Sequence, residues 1–178
     1  MLNYMSELLV NLDGDVPAAM VAEAYRRIAE RLRQMIYNLR PPLLAYGLYY
    51  GLQDYVDSLS DQLPDQVEVE FDLIDQGTEF SNEINTHLFR IVQQACENAV
   101  EHAQARHIRI IGQLRSDKVE ITVEDDGCGF AWDYDGFIDE AVSREHFGLA
   151  GMFERASITG AKVKIVSKEG AGTRVEIV

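Results

Sequence analysis

The stretch Val119-Glu120-Ile121-Thr122-Val123-Glu124-Asp125-Asp126-Gly127-Cys128-Gly129-Phe130 places the strongest constraint on the fold of this chain. Apolar and polar residues alternate through it as in a strand with one face buried, and the alternation stops at an acidic pair followed by Gly-x-Gly. Asp125 therefore stands at the C-terminal end of a strand. Gly127 and Gly129 beside it lack the side chains that would hold a flat ligand away from the backbone. The pattern reads as one wall of a nucleotide pocket. By itself the string serves equally well as a strand followed by an Asp-Gly turn, so the flanking segments have to decide.

Upstream, Ser81 and Asn82 can cap a helix that runs to about His102, with Glu83 in its first turn. Ile84, Leu88, Ile91, Val92, Ala95 and Ala99 fall on one arc of that helix, and Gln94, Asn98 and Glu101 cluster at its edge. A carboxamide at the rim of a buried face needs a partner. Asn98 is either satisfied by a structural hydrogen bond or offers a hard oxygen to Mg²⁺, which keeps much of its water. Two alternating segments, 107–114 and 118–124, form a hairpin around Arg115-Ser116-Asp117. Downstream, the Asp-rich run from Ala131 to His146 has no strong period, and a loop of this length inside a compact domain is a lid or a disordered segment. Phe147-Gly148-Leu149-Ala150-Gly151 then opens a helix with two glycines in its first turn. Such a start brings the backbone close to a neighbouring element or to an anion at the helix N-terminus. Strands 162–168 and 173–178 close the chain around Glu169-Gly170-Ala171-Gly172.

The N-terminal part is helical in pattern. Residues 4–12 read as a short helical piece, and 18–39 as an amphipathic helix of about six turns. Neither buries its stripe alone, which suggests half of a helical bundle completed by a second subunit. Arg40-Pro41-Pro42 stops the second helix, a further helix spans roughly 48–59, and residues 61–66 read as a boundary before a strand at 67–73. The expected domains are thus a partial helical dimerisation region, 1–62, and a nucleotide-binding domain, 63–178. The net charge of −14 and pI near 4.6 exclude a phosphate-backbone binder, which needs a basic face, so no nucleic acid is expected. Cys96 and Cys128 form neither a metal cluster nor a disulfide framework, and the expected compartment is a reducing cytoplasm. The longest apolar run, 43–52, is too short to span a bilayer, and no membrane contact by these residues is expected; the full-length protein is either free in the cytoplasm or the cytoplasmic part of an anchored sensor.

An Asn-bearing helix, then Asp-x-Gly-x-Gly, then a lid closing on Gly-Leu-x-Gly-Met-x-Glu-Arg, then Gly-x-Gly-Thr, resembles the nucleotide-binding boxes shared by gyrase, Hsp90, MutL and histidine kinases. The resemblance covers about residues 66–178. Gly148-Leu149-Ala150-Gly151-Met152-Phe153-Glu154-Arg155-Ala156 is similar to the nitrate- and desiccation-sensor branch of the kinases, and Leu39-Arg40-Pro41-Pro42-Leu43-Leu44 followed by Gly47-Leu48 looks like the second dimerisation helix of that branch. The resemblance implies an α+β fold, a two-layer α/β sandwich with a mixed sheet, preceded by the remnant of a dimerisation hairpin. It implies ATP and Mg²⁺ as ligands, with Asn98 on the metal and Asp125 accepting from the adenine amino group. Gly127 and Gly129 would lie near the base, Gly148, Leu149 and Gly151 around the phosphates, and Thr173 would support adenine through its hydroxyl. His102 matches a histidine common in the family's Asn helix, counted with the nucleotide-binding set and structural rather than an acceptor.

Three departures qualify the resemblance. The usual Glu four residues before the Asn is Gln94, which cannot take a proton, so hydrolysis should be poor; Glu97, about 100° away on the helix, is a doubtful substitute. The usual Lys three residues after the Asn is Glu101, which weakens phosphate binding unless Arg144, His146 or the metal offsets it. No histidine stands in the helical region, so the phospho-accepting residue lies outside this chain. The expected function is the ATP-binding catalytic domain of a two-component sensor histidine kinase, homodimeric through its helical region when full length, that passes the γ-phosphoryl to a histidine for relay to a response regulator. The rivals are a non-catalytic or phosphatase-biased nucleotide-binding partner and a hydrolytic ATPase of the same superfamily; a purely structural protein leaves the spaced motifs unexplained.

Overall fold

The alternation that ends at Asp125 forms a strand at the centre of a five-stranded sheet. In the computed structural model, which describes residues 23–26, 28, 41–64, 66–77, 79–132 and 147–178, a short 3-10 turn at Pro42–Tyr46 precedes helix α1 (Leu48–Gln62). Strand β1 (Glu68–Asp75), helix α2 (Asn82–Glu101), the hairpin β2 (His107–Arg115) and β3 (Lys118–Asp125), helix α3 (Phe147–Thr159), and strands β4 (Val163–Ser167) and β5 (Thr173–Ile177) follow. Residues 23–26 and 28 are helical; the rest of the helices expected over 4–12 and 18–39, and the lid expected up to His146 from residue 133, lie outside the described residues.

The strand order is β1-β2-β3-β5-β4. β1 and β2 run parallel, joined through α2 as a parallel pair requires, and the other pairs are antiparallel, so the sheet is mixed and the fold α+β. Register puts Ile110, Val123, Val175 and Ile165 in one row across four strands, all buried beneath the helices. The next row, on the opposite face, reads Glu70, Arg109, Glu124, Arg174. Its ion pairs are 2.7 Å, 3.6 Å and 2.8 Å apart in that order. Exposed pairs of this kind are worth at most about 1 kcal/mol each, but a one-residue slip would bury all four charges, so the alternation fixes the register.

Helices α1, α2 and α3 supply the other layer. Ser81 caps α2 by accepting the Ile84 N–H at 3.2 Å; of the expected arc of α2, Leu88, Ile91, Val92, Ala95 and Ala99 are buried, and Ile84 in the first turn is half-buried against the same core. Two compact units divide the chain, Met1–Arg40 and Pro41–Val178. The sequence boundary between 62 and 63 falls inside the second unit, because Leu44, Leu48, Leu52, Tyr55 and Val56 join the same apolar core as the sheet. Tyr55 meets Phe89 of α2 edge-on, with ring centres 5.6 Å apart.

Candidate functional site

Gln94, Asn98 and His102 lie on successive turns at the C-terminal end of α2 and line a cavity of about 320 Å³, which is within the range of small-molecule pockets. β3 and β5 supply the facing wall through Val123, Asp125, Thr173 and Val175. Cys128, Gly129 and Phe130 close one side, and Gly148 and Leu149, at the start of α3, close another.

Asp125 is half-buried at the end of β3, opposite Thr173 in register. The Gly127 N–H donates to its Oδ1 at 2.8 Å, and the donor groups of Thr173 lie beside it on the paired strand. Burial pushes this carboxyl above its ordinary range and the donors pull it back, with burial the larger effect. The loop after Asp125 is held on both sides: the Cys128 N–H donates to Ala103 O at 2.8 Å, and the Gly170 N–H donates to Cys128 O at 2.6 Å. Gly129 has φ of 59°, and a Cβ there would lie 2.1 Å from Lys168 O, so only glycine lets the loop pass. Gly127 does not line the cavity; its missing side chain makes room for Ala103, whose Cβ and carbonyl oxygen would each lie 2.5 Å from a Cβ at this position. Gly151 also stands off the cavity, where the Arg155 Nη1 donates to its carbonyl at 2.9 Å.

On the helical wall, Gln94 Nε2 donates to Asn98 Oδ1 at 3.1 Å. A Cβ on Gly148 would be 3.2 Å from Gln94 Nε2, so the start of α3 closes directly over this pair. Glu101 is exposed. Glu97 does not line the cavity, and burial first, then Glu101, push its carboxyl up. No lysine or arginine among the described residues lines the cavity; Arg144 lies outside them.

Two polar residues beside the site carry no motif of their own. Asp126 accepts the Arg106 and His107 N–H groups at 2.7 and 2.8 Å, and its Oδ2 lies 2.7 Å from His107 Nδ1, which holds its carboxyl down at about 2. Ser167 accepts the Phe130 N–H at 3.0 Å. The acidic pair Asp125-Asp126 hinted at the first; a serine ending an alternating strand gave no hint of the second. Phe130 packs edge-on against Trp132, which stacks on Phe153 with planes 8° apart.

A sheet with a carboxylate at a strand end, faced by a helix presenting a carboxamide across a small-molecule cavity, defines a nucleotide-binding α+β domain. Residues 83–178 match the family described as histidine kinase-, DNA gyrase B-, and HSP90-like ATPase, and the chain belongs to that family. Among curated proteins it is 32% identical over 159 residues to the sensor histidine kinase LiaS of Bacillus subtilis, covering 89% of this chain and 41% of that one. It is 30% identical over 175 residues to the sensor protein VraS of Staphylococcus saprophyticus, covering 97% and 46%. The signal transduction histidine-protein kinase/phosphatase DegS of Brevibacillus brevis is 31% identical, with 82% and 36% covered. The chain thus spans less than half the length of these relatives. The fold matches the blue-light activated histidine kinase of Erythrobacter litoralis with a TM-score of 0.60 at 17% identity, covering 91% of this chain and 51% of that one.

Proposed function

We propose that this chain is the ATP-binding catalytic part of a two-component sensor histidine kinase, which transfers the γ-phosphoryl of ATP to a histidine outside these residues for relay to a response regulator. The observation that carries the reading is the carboxylate of Asp125, held by the Gly127 N–H and set opposite Thr173 in the wall of a cavity whose other wall presents Asn98. A carboxylate accepts from the amino group of adenine and repels the keto oxygen of guanine. Gly129 keeps the base wall thin, and Gly148 and Leu149 place the start of α3 beside the cavity, where free N–H groups suit phosphates. The donor set fits a magnesium ion carried by the nucleotide. Asn98 Oδ1 is a hard oxygen with a second lone pair beyond the one Gln94 uses, and Mg²⁺ with ATP needs only one or two protein oxygens. When bound, the ion neutralises phosphate charge. The chain's own residues then position the nucleotide rather than move protons, as phosphoryl transfer requires. Homodimerisation through the N-terminal region and a cytoplasmic location complete the proposal; no helix among the described residues is long and apolar enough to cross a membrane.

A second reading, a nucleotide-binding partner weak in transfer or biased to phosphatase activity, draws support from Gln94 bonded to Asn98 and from Glu101 where a cation is usual. Calorimetric titration of ATP with and without Mg²⁺ tests binding. Incubation with γ-labelled ATP and a histidine-bearing dimerisation hairpin supplied in trans tests transfer. Tight, Mg²⁺-dependent binding followed by acid-labile label on the hairpin supports the kinase. Binding without label favours the second reading, and no binding up to millimolar ATP removes both.

A further inference from the structure

Trp132 is the single tryptophan of the chain, and it joins the loop after β3 to helix α3. Its ring lies nearly parallel to that of Phe153, with planes 8° apart and centres 6.4 Å apart, and it meets Phe130 edge-on at 5.8 Å. Near-parallel rings at that separation form an offset stack, one of the two arrangements that ring quadrupoles favour. All three rings are half-buried against the apolar core. Phe130 lines the cavity, and its N–H is held by the Ser167 hydroxyl of β4. Phe153 stands one helical turn after Leu149, which lines the cavity together with Gly148. Leu149 and Met152 already seat α3 in the core, so the fold does not depend on the stack. What the stack adds is a fixed spacing between the loop on one side of the cavity and the first turn of α3 on another.

We propose that Trp132 is a positioning residue for phosphate binding: stacked on Phe153, it holds the first turn of α3 at one distance from the loop that carries Gly129 and Phe130. The inference rests on the ATP reading of the cavity. A triphosphate whose base is anchored at Asp125 reaches the N–H groups at the start of α3 only when that distance is right. Arrangements of α3 that the stack excludes are ones in which base and phosphates are not held together, and affinity falls with the fraction of chains in the competent arrangement. Adenosine, which has the base and no phosphate, is indifferent to that spacing. Trp132 acts through Phe153 and needs no contact with the nucleotide.

The test compares dissociation constants of the whole chain for ATP with Mg²⁺ and for adenosine, and reads the emission of Trp132 alongside. Phe153→Ala should shift that emission to the red without any ligand, because the stacked face becomes wet. Trp132→Ala should weaken ATP about fivefold, the population that one aromatic stack can move, and leave adenosine little changed. Trp132→Phe, which keeps a ring over Phe153, should recover most of the loss, and Trp132→Leu, which keeps bulk without a ring, should not. Phe153→Ala should weaken ATP by the same factor, and the double alanine substitution no more than either alone. If Trp132→Ala does not fold, Trp132→Leu is read on the same ratio; if adenosine binds too weakly to titrate, the double substitution on ATP decides. Unchanged emission in Phe153→Ala, equal weakening of ATP and adenosine, unchanged ATP binding, full recovery with Trp132→Leu, or additive effects overturn the inference while the ATP reading stands. Failure of wild type to bind ATP overturns both.

Discussion

The sheet wall of the cavity and the helical wall are tied together to different degrees. On the sheet wall, Asp125, Gly127, Phe130, Ser167 and Thr173 are joined by backbone and hydroxyl hydrogen bonds that span three strands and the loop after β3. On the helical wall, Gln94 and Asn98 share one bond of 3.1 Å, and the nearby charged side chain, Glu101, has the wrong sign for a phosphate. The first wall is organised before a ligand arrives, which keeps the ordering cost of recognition low. The second relies on what arrives with the ligand, above all a divalent cation. In such a protein base identity is decided by the fold, and phosphate affinity by ionic conditions.

Four substitutions probe this contrast. The largest effect is expected from Gly129→Ala, which would force a Cβ to 2.1 Å from Lys168 O at a φ of 59°. It should destabilise the protein by about 3 kcal/mol, read as a fall of several degrees or more in thermal midpoint, and it should weaken ATP binding because the sheet wall opens. Next, Asp125→Asn should cost about a hundredfold in ATP affinity by calorimetry, the range for a hydrogen bond to a charged group. Its thermal midpoint should hardly move; a large fall would mean that Asp125 is a structural residue.

Glu101→Lys acts on the helical wall. It should tighten ATP about tenfold at low ionic strength and lose most of that gain at high salt, as an exposed charge must. No change would mean that the phosphates lie away from α2. The smallest effect concerns the pair beside the base. Asp126 is held down at about 2 from an ordinary 3.8, so its contribution to stability is full above the ordinary value and is lost as pH falls toward 2. His107 is raised from 6.5 by Asp126, so its contribution is full below 6.5 and is lost as pH rises through its folded value. The stability gap between wild type and His107→Ala, measured by denaturant titration, should therefore be widest between the two ordinary values and shrink on either side.

Much of the site was legible in the chain because it is written in short spacings. Asn98 four residues after Gln94 is one helical turn, and α2 brings the two side chains into contact as the spacing requires. Asp125 before Gly-x-Gly is a strand end, and register places it opposite Thr173. Other assignments moved when neighbours were supplied. Gly127 and Gly151 share motifs with Gly129 and Gly148, yet a motif does not say which glycine faces the ligand and which makes room for a loop or for an arginine. The helix at Leu48–Gln62 looked like the end of the helical region because its apolar stripe demands a cover without naming one; the cover is the sheet core.

By itself the sequence determined the local elements and the chemistry at their ends. Alternation makes strands, a period of 3.6 with a serine cap makes α2, and an acid followed by glycines ends β3, all through interactions within a few residues. The tertiary structure alone decided which distant groups meet: Ser167 with Phe130 and Thr173, Asp126 with the start of β2, and α1 with the core. These pairings depend on sheet order and register, and register is set by the burial of whole faces, which no single segment encodes.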